Sequence, residues 1–92
     1  MKVAEYIAER LLHLGTTDAF GIPGGVILDL LYALDARDGM TSHLCYHEQS
    51  AGFAACGYAQ SCGRLGVAYA TRGPGFTNFI TPMADAFYDS LP

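Results

Sequence analysis

Charge is scarce in this 92-residue chain: Asp, Glu, Lys and Arg make up 15% of it, and the formal net charge at pH 7 is -4. Five basic residues, Lys2, Arg10, Arg37, Arg64 and Arg72, stand scattered against nine acidic ones. That leaves no basic footprint for nucleic acid or an anionic membrane surface, and neither partner is expected. Long apolar runs are missing as well. The longest, Val26 to Leu34, is interrupted by Asp29 and falls well short of the roughly 20 residues that cross a bilayer. The first residues, Met1-Lys2-Val3-Ala4-Glu5, carry no apolar core of signal-peptide type, so a cytoplasmic location is expected. Cys45, Cys56 and Cys62 are odd in number and form no C-x-x-C pair, which suits three free thiols better than a disulfide framework. The patterns G-x-G-x-x-G and G-x-x-x-x-G-K-[ST] are also absent, so a dinucleotide or nucleoside triphosphate site has little support.

What is present is apolar and glycine-rich: 51% hydrophobic residues and 11 glycines, the composition of a globular domain with a large interior for its size. Val3, Ile7, Leu11 and Leu14 recur at helical spacing before Gly15, which predicts a first amphipathic helix with a glycine stop. A strand over 18–22, the turn Pro23-Gly24-Gly25 and a helix carrying Val26, Ile27, Leu30, Leu31 and Leu34 follow. A second strand over 42–47, a helix over 49–61 closed by Gly63, a third strand over 65–70 and a helix over 76–88 complete the pattern. Pro82 should kink that last helix or be accommodated near its middle. Near-continuous apolar strands alternating with helices define an α/β fold, an open parallel sheet with helices on both faces. Leu91-Pro92 reads as the start of a further strand. Residues 1–92 are therefore expected to be part of a larger domain, cut to about three strands and four helices, since a three-stranded parallel sheet leaves an open apolar edge.

The handovers from strand to helix draw the chemistry. In open parallel α/β sheets ligands bind outside the carboxyl ends of the strands. The three ends here carry Gly21-Ile22-Pro23-Gly24-Gly25, His47-Glu48-Gln49 and Thr71-Arg72-Gly73-Pro74-Gly75-Phe76-Thr77-Asn78. Glu48 is the carboxylate among them. Desolvation raises the pKa of such a group while a helix N-terminus and N–H donors lower it, so it can be held ready to share a proton with a ligand. On its own it also reads as a helix-start carboxylate satisfied by backbone N–H groups. His43, Cys45 and His47 share one strand face and could hold zinc, but a strand more often spends such side chains on packing, so no metal site is expected. Cys56, on a helical row with Gly52, is expected to pack as a small hydrophobe.

Taken together, Phe20-Gly21-Ile22-Pro23-Gly24-Gly25, Tyr46-His47-Glu48-Gln49 with Ala51-Gly52-Phe53-Ala54-Ala55, Ala70-Thr71-Arg72-Gly73-Pro74-Gly75-Phe76-Thr77-Asn78 and Asp89-Ser90-Leu91-Pro92 resemble the N-terminal pyrimidine-binding domain of thiamine diphosphate enzymes, in particular acetolactate synthase large subunits. The resemblance covers almost the whole chain, in order, and implies a flavodoxin-like strand order. It implies thiamine diphosphate as cofactor, with Glu48 hydrogen-bonded to N1′ of the aminopyrimidine and sharing a proton with it. Pro23, Gly24 and Gly25 would lie beside the pyrimidine, Thr71, Pro74 and Asn78 would approach the cofactor or support the site, and Gln49 and Phe53 would reach the substrate pocket. The intact enzyme would be at least a dimer, would decarboxylate pyruvate or a related 2-oxo acid and would transfer the acyl unit to a second one. The family's G-D-G motif, which binds the diphosphate through Mg2+ in a separate domain, does not occur in this sequence. The chain alone is therefore expected to be inactive. Alternatives are a free-standing pyrimidine-domain subunit or regulatory module that works with a separately encoded diphosphate-binding domain, and a non-functional truncated product. Two positions depart from the family pattern: Arg72 stands where many relatives have Ser, and is expected to face solvent or an interdomain ion pair, and Phe53 stands where a polar residue is common.

Overall fold

Three short segments form one parallel sheet in the computed structural model, which describes residues 2–92. β1 (Asp18–Gly21) is central, with β2 (Thr41–Leu44) on one side and β3 (Val67–Tyr69) on the other. Both pairings are parallel, and the register sets Phe20 opposite His43 and Ala68. Around the sheet run α1 (Val3–His13), a single 3-10 turn (Gly25–Ile27) leading into α2 (Leu28–Asp35), then α3 (Glu48–Cys62), α4 (Pro74–Thr77) and α5 (Ile80–Tyr88). The α/β class, the open parallel sheet and the order β2-β1-β3 agree with the sequence-based expectation.

Successive strand side chains point to opposite faces, and this divides the helices into two layers. Ala19 and Tyr69 point to one face, where Ala8, Leu31, Ala33, Leu34 and Met40 complete a buried core with α1 and α2. Phe20 and His43 point to the other, stacked with ring centroids 4.9 Å apart, and the ring of Tyr58 on α3 meets Phe20 edge-on at 6.2 Å. A polar tie closes the amino end of this second layer. Asp18 accepts from Thr17 Oγ1 at 2.6 Å and pairs with His43 Nε2 at 2.8 Å, while the Thr17 N–H donates to the Tyr58 hydroxyl. Thr16, the buried polar residue of the core, donates to the Leu65 carbonyl.

Three expectations need correction. The buried face of α1 is its small row: Ala8 is buried and Ala4, Leu11 and Leu12 pack beside it, whereas Val3 and Leu14 are exposed. Ala4 and Ala8 let α1 come close to the core, Leu11 and Leu12 pack beside them, and Val3 and Leu14 are left at its ends. The second strand stops at Leu44 and is not buried, because the sheet order puts it at an edge; Tyr46 beyond it is 96% exposed. The last helix is not one kinked rod but two helices, with Asn78 and Phe79 between them. Pro82 is the cause. It has no N–H for the Asn78 carbonyl four residues back, and its ring excludes regular helix there, so a new helix starts at Ile80 and places Pro82 in its first turn.

Pro82 also sets how closely α3 and α5 approach. It lies over Gly52, where a side chain would overlap it: a Cβ on Gly52 would sit 2.6 Å from Pro82 Cβ. Between these helices and the outer edge of β3 runs an apolar groove of about 260 Å³, lined by Ala55, Cys56, Ala59, Met83 and Leu91 among others. At its mouth the Gly66 N–H donates to the Pro92 carbonyl at 3.0 Å.

Gly52→Leu is expected to cost about 1–3 kcal/mol by forcing the helices apart, read as a lower urea midpoint with an unchanged slope. Asp18 gives a second test. The hydrogen bonds from His43 and Thr17 hold its carboxyl below the ordinary value of 3.8, so it stabilises the fold above that value and the contribution is lost as pH falls through the depressed one. Asp18→Asn should therefore lower stability at neutral pH and remove that part of the acid-side loss; equal slopes below pH 4 in both proteins would contradict this.

Candidate functional site

The carboxyl ends of the three strands are bound into one rim by the backbone. The Cys45 N–H donates to the Gly21 carbonyl at 2.9 Å, and the Ile22 N–H to the Tyr69 carbonyl at 3.4 Å. Loops 22–25, 45–47 and 70–75 therefore leave the sheet side by side. The first and third touch where Gly24 faces Thr71, so closely that a Cβ on Gly24 would lie 2.5 Å from Thr71 Cβ. Thr71, half-buried, is the wedge between them. Its methyl group also lies 3.1 Å from where a Cβ of the buried Gly75 would stand.

Glu48 is the first residue of α3, and its carboxylate is not consumed in capping that helix. His47 does that: its Nδ1 accepts from the Gln49 N–H at 3.0 Å. Glu48 Oε1 instead accepts from the Asn78 amide at 2.9 Å, across 30 residues of sequence. Oε2 lies 3.4 Å from the Cβ position that Gly75 leaves empty. The Asn78 hydrogen bond, aided by the residue's own backbone N–H, holds this carboxyl below its ordinary 4.5, against a smaller upward push from desolvation. Of the opposing influences expected from sequence, the lowering ones prevail.

The remaining candidates divide into two groups. Pro23, Gly25 and Pro74 are exposed along the rim, and a Cβ on Gly25 would meet open space. Gln49 follows Glu48 on α3, half-buried, and Phe53, one turn further, is 43% exposed; Arg72 is exposed on the third loop. His43 and His47 are engaged elsewhere, with Asp18 and with the α3 cap. Among the described residues no three acidic, His or Cys side chains cluster as a metal site would require. Sequence reading missed Tyr69, whose ring and carbonyl occupy the space that any side chain on Gly21 would need. The signal was available: a glycine in register with a bulky aromatic on the neighbouring strand.

Fold and rim together define an α/β ligand-binding domain in which one carboxylate is set among glycine loops at the strand ends. Residues 1–92 match the family model described as "Thiamine pyrophosphate enzyme, N-terminal TPP binding domain", and the chain belongs to that family. It is 47% identical over 93 residues to the acetolactate synthase isozyme 2 large subunit of Escherichia coli, and 48% identical over 92 residues to the acetolactate synthase large subunit of Corynebacterium glutamicum. Acetolactate synthase 1, chloroplastic, of Oryza sativa is 45% identical over 91 residues. These alignments cover 100%, 100% and 99% of this chain but 17%, 15% and 14% of the respective relatives.

Gly24→Val, which collides with Thr71, should push the two loops apart and cost about 1–3 kcal/mol of stability, while far-UV circular dichroism stays unchanged. A lowered urea midpoint would show it.

Proposed function

We propose that this chain is the pyrimidine-binding part of an acetolactate synthase-like enzyme, and that Glu48 is its catalytic residue. The observation that carries the reading is the Glu48 carboxylate, fixed through Oε1 by Asn78, with Oε2 left without a hydrogen bond from another side chain. When bound, thiamine diphosphate would supply a carbon centre able to stabilise the carbanion left by decarboxylation of a 2-oxo acid. Glu48 binds the aminopyrimidine at N1′ and holds a shared proton there, a task for which an ionised carboxylate with a free oxygen is suited. Gly24 and Gly25 add no side chain beside the ring and Pro23 borders it, while Thr71, packed on Gly24, and Pro74 hold the opposite loop at the distance the ring requires. Gln49 and Phe53 lie toward the substrate.

Pyruvate or a related 2-oxo acid as donor, a second 2-oxo acid as acceptor, and an assembly of at least two subunits extend the same reading. So does a diphosphate held through Mg2+ by a part of the enzyme outside these residues. The apolar groove along β3, with the Pro92 carbonyl already hydrogen-bonded to Gly66, supports a place for a further strand and hence a larger domain. Free thiols at Cys45, Cys56 and Cys62 support a reducing compartment such as the cytoplasm. Relatives whose names read chloroplastic show that the family is not confined to it. No described helix is long and apolar enough to cross a membrane.

In the complete protein, Glu48→Gln should still bind thiamine diphosphate but lose most of the exchange of its C2 proton into deuterated water, measured by proton NMR. Exchange at the wild-type rate would rule out the role given to Glu48.

A further inference from the structure

Asn78 and Glu48 are brought together by a device that involves two more residues. An ionised carboxylate only accepts hydrogen bonds, so the Asn78 amide nitrogen is the group that faces Oε1. Asn78 sits in the break between α4 and α5 that Pro82, four residues on, imposes. Pro82 in turn rests on Gly52, which lies four residues beyond Glu48 on α3. The two pairs are therefore one helical turn apart. Gly52 and Pro82 set the spacing of the helices, and Glu48 and Asn78 span that spacing one turn nearer the rim.

We propose that Asn78 is a positioning residue for Glu48 rather than a ligand of the cofactor: its amide anchors Oε1 and thereby leaves Oε2 to meet the pyrimidine. The role of Oε2 rests on the reading of Glu48 given above; the coupling of Asn78 to Glu48 does not. A carboxamide suits the task because it donates a hydrogen bond without a titrating proton to give. A Lys or His there could neutralise the carboxylate, and an Asp would compete with it for a proton. The neighbouring titratable group is His47, the preceding residue, whose Nδ1 is taken up by the Gln49 N–H.

The test is a carbon-13 NMR titration of the Glu48 side-chain carboxyl in the full chain, its resonance assigned by its loss in Glu48→Gln. The wild-type midpoint should lie below the ordinary glutamate range. Asn78→Ala should move it up toward that range, and Asn78→Asp, equal in volume but carrying a second carboxylate, should move it further up. In parallel, titration calorimetry with 4-amino-2-methylpyrimidine as probe should show about tenfold weaker binding to Asn78→Ala. An unchanged midpoint in the folded variants overturns the proposal. So does loss of fold in both while Glu48→Gln folds, because Asn78 would then serve the structure independently of Glu48. If wild type and Glu48→Gln bind the probe equally, the pyrimidine reading fails, and the NMR midpoints still decide the role of Asn78.

Discussion

The contact between Gly52 and Pro82 is the constraint on which the site depends. α3 carries the carboxylate and packs on β1 and β3, while α5 packs on α3. How close α5 can come is decided where neither partner has room for another atom. The same proline ends regular helix at Asn78 and so frees that side chain to turn toward Glu48. One imino acid thus sets the distance between two helices and the position of a hydrogen-bond donor one turn away. A proline in the first turn of a helix costs little, since the N–H it lacks has no intrahelical partner there. The strained alternative, an unbroken helix from Pro74 to Tyr88, would set the Pro82 ring against the Asn78 carbonyl.

A second close approach serves the sheet. Gly21 ends β1 beneath the ring and carbonyl of Tyr69, and the Ile22 N–H continues the ladder to that carbonyl. Loops one and three thereby leave the sheet already in contact, so that Gly24 and Thr71 meet without a long search of loop conformations. This is pre-organisation of the kind that lowers the entropic cost of seating a ligand. Burial of the tyrosine pushes its hydroxyl pKa up, so at neutral pH it contributes bulk and no charge beside Gly21.

The α/β class and the three-loop rim were legible in the sequence because they follow from local patterns: helical spacing, short apolar segments, and Gly-Pro turns at fixed offsets; the strand order followed only from the family resemblance. Glu48 was legible because a carboxylate between such loops is conspicuous. What could not be read was whatever depends on which helix face meets which neighbour. Val3 and Leu14 look like core and are not, because the small row carrying Ala8 packs instead. Ser42 to His47 looked like a buried strand, and only the sheet order reveals Thr41–Leu44 as an edge. Asn78 was identified as a site residue, but its bond to Glu48 spans 30 positions and requires the helix break and the Gly52 contact together. No window of sequence contains all three.

The charge state of Glu48 follows from these non-local contacts and bears on the chemistry. A glutamate merely desolvated at a strand end would have a raised pKa and would arrive protonated, offering a proton outright. Here a neutral amide and a helix start hold it ionised, so the free protein presents an acceptor. If Glu48 meets a pyrimidine ring nitrogen, as proposed, two acceptors face one another, and they attract only when a proton lies between them. Ligand and proton must therefore enter together, or the ring must bring the proton with it. Binding then becomes linked to pH: it is favoured as proton activity rises toward the ionisation range of the ring, until Glu48 itself is neutralised in the free protein. The Asn78 amide, by depressing the Glu48 pKa, widens that range on its acid side.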